Sequence, residues 1–424
     1  MCFRSTIFFL FLGFCQISYG KYGFRGEQEW GFVTVRPGAH IFYWLHYTTA
    51  NVSLYTEKPL IIWLEGGPGV SSTGYTNFKE IGPLNLDLTN RSNSLVKDYN
   101  ILFIDNPVGT GFSYTDSDDQ HARSDQQIAN DLLISIEKFL KEFPSFSNVS
   151  TYVVGQCYGG KIAVLLASKW LQKIKSGWNI SNFKGIGISS AWISPVHSVL
   201  SWAPYLFENR LIDNDDYNVI RGSAYQAYLS THIKDWNGAN NHTHSTISNI
   251  KNIIKNVNFY NILSKVEHRN FSPYVEDESQ LHSLMETQVK SALNISENIH
   301  FNVDDYRVYE FLISQLMRPA IKEVEYLLRQ SNFKVFVLSG KLDLLVNSKG
   351  TERWIENLKW ANSSEWLKIK SSQLIVNKTN EGYVKTCGNF RMYSVNRAGH
   401  LIAVDNPAAT RKILSDLTSD DLSN

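Results

Sequence analysis

The segment Tyr152-Val-Val-Gly155-Gln156-Cys157-Tyr158-Gly159-Gly160-Lys161 constrains this chain more than any other. It carries an apolar strand straight into a helical pattern with no loop between them. Gly155 and Gly159 bracket Cys157 as G-x-C-x-G, and a turn that sharp brings backbones together where a Cβ has no room. The middle residue is lifted above the strand ends, beside the first turn of the following helix. That helix end favours negative charge, such as that of a thiolate. Cys157 is therefore a candidate nucleophile.

Two further residues follow in the order that such a turn requires. Short apolar runs alternate with helical patterns along the chain, which predicts an α/β protein with a mostly parallel sheet. Leu60–Leu64 and Ile101–Ile104 read as strands buried on both faces, and Tyr152–Val154, Gly185–Ile188, Val335–Leu338 and Met392–Val395 as further strands. Ile41 to Tyr47 suits an early antiparallel strand. Asp125 to Phe143 and Lys161 to Ile174 carry helical spacing, and Gly177 stops the second. Asp343 then falls just past one strand and His400 just past another, on loops at the strand ends where ligands bind on open α/β sheets. The order nucleophile, acid, histidine fits a triad. In it Asp343 orients the imidazole and His400 takes the proton from Cys157. Residues from about 197 to 318 are polar and helical, without a convincing buried strand, and are expected to form a helical lid insertion.

The first 20 residues read as a signal peptide, with Arg4, the apolar run Ile7 to Phe14, and small residues before Lys21. That run is too short to span about 30 Å of hydrocarbon, and no later stretch is long and apolar enough. The expected mature domain is 21–424. Nine N-x-S/T sequons follow the leader: Asn51, Asn90, Asn148, Asn179, Asn241, Asn270, Asn294, Asn362 and Asn377. Together they point to a glycosylated protein of the secretory pathway, extracellular or lysosomal. Loss of the leader removes Cys2 and Cys15 and leaves Cys157 and Cys387. Cys387 precedes a turn at the far end of the strand leading to His400, so Cys157 is expected to be a free thiol. Loss of Arg4 leaves 40 basic against 40 acidic residues with no basic run, which argues against nucleic acid or an anionic membrane as partner. His242-x-His244 has no third ligand nearby and the loop Gly66–Gly69 lacks the Lys-Ser/Thr ending of a phosphate cradle, so neither a metal nor a cofactor is expected.

The chain resembles the serine carboxypeptidases, closest to their retinoid-inducible branch. The matching segments run from about Trp30 to Asp405: Trp63-Leu-Glu-Gly-Gly-Pro-Gly-Val-Ser-Ser72, Glu80-Ile-Gly-Pro83, Asp105-Asn-Pro-Val-Gly-Thr-Gly-Phe-Ser-Tyr114, the Cys157 turn, Ala191-Trp-Ile-Ser-Pro195, Ser198-Val-Leu-Ser-Trp202, Gly340–Asp343 and Ala398–His400. The resemblance implies an α/β-hydrolase fold and a C-terminal exopeptidase acting on peptides with a free C-terminus. It gives the oxyanion-stabilising N–H groups to Gly67 and Tyr158, and recognition of the substrate carboxylate to Glu65, Gly66 and Gln156. Two positions depart from the family pattern. Cysteine stands where the family has serine, and the family's amide/acid pair appears exchanged, as Glu65 and Gln156. The resemblance therefore carries two readings: a thiol exopeptidase in which a protonated Glu65 donates to the substrate carboxylate, or a weak or inactive relative that binds peptides. An acyltransferase is a further use of the fold, selected by nothing in this sequence.

Overall fold

The computed structural model describes residues 26–178, 180–264 and 278–419. The leader, Asn179 and Asn270 lie outside the described residues. The described residues form two compact units, 26–154, 169–178, 180–184 and 278–310 in the first and 155–168, 185–264 and 311–419 in the second. The span 197–318 is thus divided between both.

In the first unit β1 (Gln28–Arg36) and β2 (Ala39–His46) form an antiparallel hairpin. Strand β2 pairs antiparallel with β4 (Asn100–Ile104), and β3 (Leu60–Leu64) pairs parallel with β4. A short β5 (Tyr114–Thr115) sits beside β2, and β6 (Ser150–Gln156) lies next to β3. All residues of β3 and β4 are buried, as expected of parallel strands covered on both faces. Strand β1 escapes the sequence reading because it is an edge strand whose residues are mostly half-buried, so its apolar signal is weak. Helix α1 (Asp125–Glu142) packs on β1. Ser124 caps it by accepting the N–H of Gln127 at 3.2 Å. Its buried stripe of Ile128, Leu132, Ile136 and Phe139 contributes roughly 1.5–3 kcal/mol per side chain.

The second unit holds β7 (Asn182–Ser189), β8 (Lys334–Gly340), β9 (Ser372–Val376), β10 (Thr379–Cys387) and β11 (Phe390–Val395). Strand β8 is parallel to both β7 and β11, and β10 and β9 continue the sheet antiparallel. Strands β9 and β10 carry exposed and half-buried residues and, like β1, gave no clear pattern. Helix α2 (Tyr158–Lys175) begins three residues earlier than its apolar spacing suggests, directly after Cys157. Helices α3 (Pro195–Glu208), α4 (Asn214–His232) and α5 (Trp236–Ile253) share one apolar cluster that includes Trp202, Leu206, Ile220 and Ile250. Helix α6 (Tyr306–Leu316) closes the insertion; α7 (Ser348–Glu356) packs on α3, and α8 (Pro407–Thr418) on β9 and β10. No described helix is long and apolar enough to cross a membrane. Of the described sequon asparagines, Asn51, Asn90, Asn148, Asn241, Asn294 and Asn377 are exposed and Asn362 is half-buried.

Candidate active site

The turn between β6 and α2 holds Cys157 at φ 54°, in the left-handed region that side chains rarely occupy. Backbone bonds over-determine it. The Cys157 N–H donates to the Ser189 carbonyl at 2.9 Å, and its own carbonyl accepts from Gly160 (3.1 Å) and Trp192 (3.0 Å). The close approach read from the sequence is present. A Cβ on Gly155 would lie 2.4 Å from the Gly159 oxygen and 2.6 Å from the Gly160 Cα. Since only backbone meets it there, Gly155→Ala is expected to destabilise the fold by more than about 4 kcal/mol, the exceptional end for one substitution, and to prevent recovery of folded protein. Recovery of a soluble variant with a wild-type melting curve would sink this account of the turn.

Asp343 and His400 are both wholly buried, and the Asp343 Oδ2 accepts a hydrogen bond from His400 Nδ1 at 2.8 Å. The other carboxylate oxygen accepts the Val346 N–H at 2.9 Å. His400 is fixed through its backbone as well. Its N–H donates to the Tyr260 carbonyl at 2.7 Å, and its carbonyl accepts from Gln156 Nε2 at 2.8 Å. The Tyr260 ring stands edge-on to the imidazole, centroids 4.7 Å apart. Burial works against the imidazolium. The Asp343 carboxylate and the Cys157 sulfur outweigh it and hold His400 well above its ordinary value of 6.5. Nε2 is buried and makes no hydrogen bond of full geometry, so Cys157 acts on it through charge and a looser thiol contact. Such looseness is common in an unliganded site. Cys157 and Cys387 are both free thiols. Tyr158 opens α2, and its N–H belongs to the turn whose N–H groups point outward along the helix axis.

Glu65, Gly66 and Gly67 lie in the first unit, on the loop that leaves β3. Glu65 is buried and accepts from Thr76 Oγ1 (2.6 Å) and Trp63 Nε1 (3.3 Å) on one oxygen and from the Gly66 N–H (3.0 Å) on the other. These three bonds occupy three of about four lone-pair sites, which leaves one on Oε1 for a proton. A second buried acid, Asp105, accepts from Ser71 Oγ, Thr73 Oγ1 and the N–H groups of Thr73 and Phe112 at 2.6–3.0 Å. Burial raises it while these bonds pull it back. It ties the loop after β3 to the loop after β4, a role that its motif alone did not disclose. Gln156, Tyr260 and Trp192 were likewise not legible as supports of the triad. Tyr260 and Trp192 act through a backbone carbonyl and a backbone N–H, and the Gln156 amide donates to a backbone carbonyl far away in the chain. Among the described residues no group of three or more His, Cys, Asp or Glu could hold a metal ion.

The mostly parallel sheet, with a strained strand-to-helix turn at Cys157 and a buried acid–histidine pair on strand-end loops, has the α/β-hydrolase fold. A prohormone-processing carboxypeptidase from Saccharomyces cerevisiae shares the fold, with a TM-score of 0.82 over 94% of this chain and 92% of the other at 23% identity. The serine carboxypeptidase family model matches residues 20–420, and the chain belongs to that family. It is 33% identical to the retinoid-inducible serine carboxypeptidase of Mus musculus across 93% of this chain and 92% of the relative. It is 30% identical to serine carboxypeptidase-like 51 of Arabidopsis thaliana over the same shares.

Proposed function

We propose that this protein is a thiol-dependent exopeptidase of the secretory pathway, extracellular or lysosomal, which releases C-terminal residues from peptides through an acyl-enzyme on Cys157. The observation that carries this reading is the buried Asp343–His400 pair, bonded at 2.8 Å with His400 raised well above 6.5, beside Cys157 on its strained turn. The Cys157 sulfur attacks the scissile carbonyl and a C–S bond forms. Negative charge develops on the carbonyl oxygen, which the N–H groups of Gly67 and Tyr158 stabilise in the roles that the family resemblance gives them. A thiolate is a good leaving group, so the intermediate goes forward only if the departing amine is protonated. An imidazolium held charged by Asp343 is suited to that step, giving its proton to the nitrogen as the C–N bond breaks. His400, now neutral, takes a proton from water, the water oxygen attacks the thioester and the C–S bond breaks. The exposed sequons are consistent with a glycosylated lumenal protein.

Glu65 decides the pH dependence in this reading. To bind a substrate carboxylate it must be protonated, so that it donates and does not repel, and affinity for free-acid peptides should rise as pH falls. The test compares secreted wild type and Glu65→Gln on paired peptides with free or amidated C-termini from about pH 4 to 7, following terminal-residue release by mass spectrometry. Release from the free acid alone, with a KM that climbs about tenfold over this range in wild type and stays flat in the variant, supports both role and reaction. Equal action on amidated peptides overturns the exopeptidase reading. A flat KM in wild type overturns only the role of Glu65.

A further inference from the structure

One stretch of backbone bonds to both loops that carry the acid–histidine pair. It runs from Asn258 to Ser264, just past the end of α5 and wholly within the second unit. The Phe259 carbonyl accepts the N–H groups of Leu344 (3.0 Å) and Leu345 (2.9 Å), on the C-terminal side of Asp343. The Ile262 N–H donates to the Leu342 carbonyl at 3.0 Å, on its N-terminal side. Between these bonds the Tyr260 carbonyl takes the N–H of His400 itself. A backbone bond from the Leu342 N–H to the Ala398 carbonyl, at 2.9 Å, joins the two loops directly, and the strap adds four more.

The strap is firmly seated. The Phe259 ring is buried and meets Trp202 of α3 edge to face, centroids 5.7 Å apart. A Cβ on Gly399 would lie 2.1 Å from the Tyr260 oxygen, so glycine is required before His400 where the strap passes. The Gly399 N–H donates to Asp405 Oδ2 at 2.6 Å, and that carboxylate also accepts Asn261 Nδ2 at 3.4 Å. Two successive N–H groups of the histidine loop are therefore held from the strap, one through Asp405 and one directly.

The shape of the strap comes from Asn258. Its Oδ1 accepts the N–H groups of Tyr260 (2.8 Å) and Asn261 (3.3 Å), and its Nδ2 donates to Ser264 Oγ at 3.0 Å. A trans peptide is planar, so its N–H and its carbonyl point in opposite directions. With the Tyr260 N–H turned toward Asn258, the Phe259 carbonyl is turned away, to Leu344 and Leu345. With the Asn261 N–H turned the same way, the Tyr260 carbonyl is turned away, to His400. One side-chain oxygen thus aims both carbonyls that the triad loops use.

We propose that Asn258 is a positioning residue of the triad, which acts through the strap to hold Asp343 and His400 at their bonding distance. The inference rests on the peptidase reading for its kinetic consequence alone, because the geometry of the pair can be observed without turnover.

The test compares wild type with Asn258→Ala, which removes the acceptor, and Asn258→Asp, which keeps an oxygen in its place. Two readouts are taken on the full-length protein: kinetics of terminal-residue release from a free-acid peptide, and the downfield proton NMR resonance of the His400 Nδ1–H bonded to Asp343. Asn258→Ala should lower kcat by about 10–100-fold with KM within about twofold, the scale of a small misplacement that begins away from the reacting atoms. Its downfield resonance should broaden beyond detection as the imidazole loosens. Asn258→Asp should keep the resonance and stay within about threefold of the wild-type kcat. An alanine variant with wild-type kcat and an unchanged resonance overturns the proposal. So does an aspartate variant as impaired as the alanine one, since the retained oxygen would then count for nothing. Should Asn258→Ala not fold, Asn258→Ser takes its place, because a hydroxyl makes the same turn more weakly. A fall in kcat of about 3–10-fold is then expected, and no fall overturns the proposal. Should wild type release nothing, the peptidase reading falls and the resonance decides for the strap. Its loss in the alanine variant and retention in the aspartate one supports the proposal; its retention in both, or its absence from wild type, overturns it.

Discussion

Exchange of Cys157 for alanine is expected to cut release of the terminal residue from a free-acid peptide by at least about 10³-fold, the scale on which triad nucleophiles act. The interaction that alanine loses is the one with His400, which does not set the turn. It is set by backbone bonds to Ser189, Gly160 and Trp192, which alanine keeps. The loss should therefore fall on kcat with little change in KM, and the variant should fold. Cys157→Ser is the more informative partner. Part of what holds His400 charged is the sulfur itself, so removing it lowers the histidine toward the range where it serves as the general base that a serine requires. The serine variant should turn over, with its activity displaced toward neutral pH relative to wild type. Substitution of serine by cysteine is also what a peptide-binding relative with a silenced site would show. That reading predicts no release from any of the three proteins and unchanged affinity for free-acid peptides. Mass spectrometry of release, with affinity measured alongside, separates the two.

Asp343→Asn should cost about 3 kcal/mol near pH 5.5 and much less at alkaline pH. The pair is wholly buried, and removing one partner of such a pair costs roughly 3–5 kcal/mol. The low end applies because His400 can lose its proton. The sign follows from the direction of the shift. His400 is raised in the folded state, so its contribution is fully present below the unfolded value of about 6.5 and is lost as pH rises through the folded one. Without the carboxylate, burial acts on the imidazole with only Cys157 opposing it, and the variant loses that pH-dependent increment. Urea unfolding of both proteins from pH 5 to 9 measures this directly. A difference in stability that stays constant with pH would falsify the charged-pair account and leave only a packing role for Asp343.

Much of the fold was legible because its central strands are continuous apolar runs. Leu60–Leu64 matches β3 residue for residue, and Ile101–Ile104 and Val335–Leu338 fall inside β4 and β8. Strands β1, β9 and β10 were not, because they lie toward the ends of the strand order and keep part of their surface in water. The turn at Cys157 could be read because only glycine fits beside it, a local steric fact that leaves a mark in the sequence. Asp343 and His400 could be read from their order and from the strands that precede them.

What supports the triad is of another kind. Gln156 holds the His400 carbonyl across 244 positions of chain, and Tyr260 holds its N–H from within the insertion. The backbone carbonyl that Tyr260 offers and the one that Gln156 reaches are the same in every residue, so nothing in the sequence marks these partners. The raised proton affinity of His400 likewise comes from Asp343 and Cys157 standing beside it against the opposing effect of burial, and not from any one residue alone. The sequence by itself determined the α/β layout, the turn that holds Cys157 and the strand-end positions of Asp343 and His400, because apolar period, glycine sterics and side-chain chemistry are local. Only the tertiary structure decided which residues hold the histidine and how strongly its proton is kept, because both depend on groups distant in the chain being brought together.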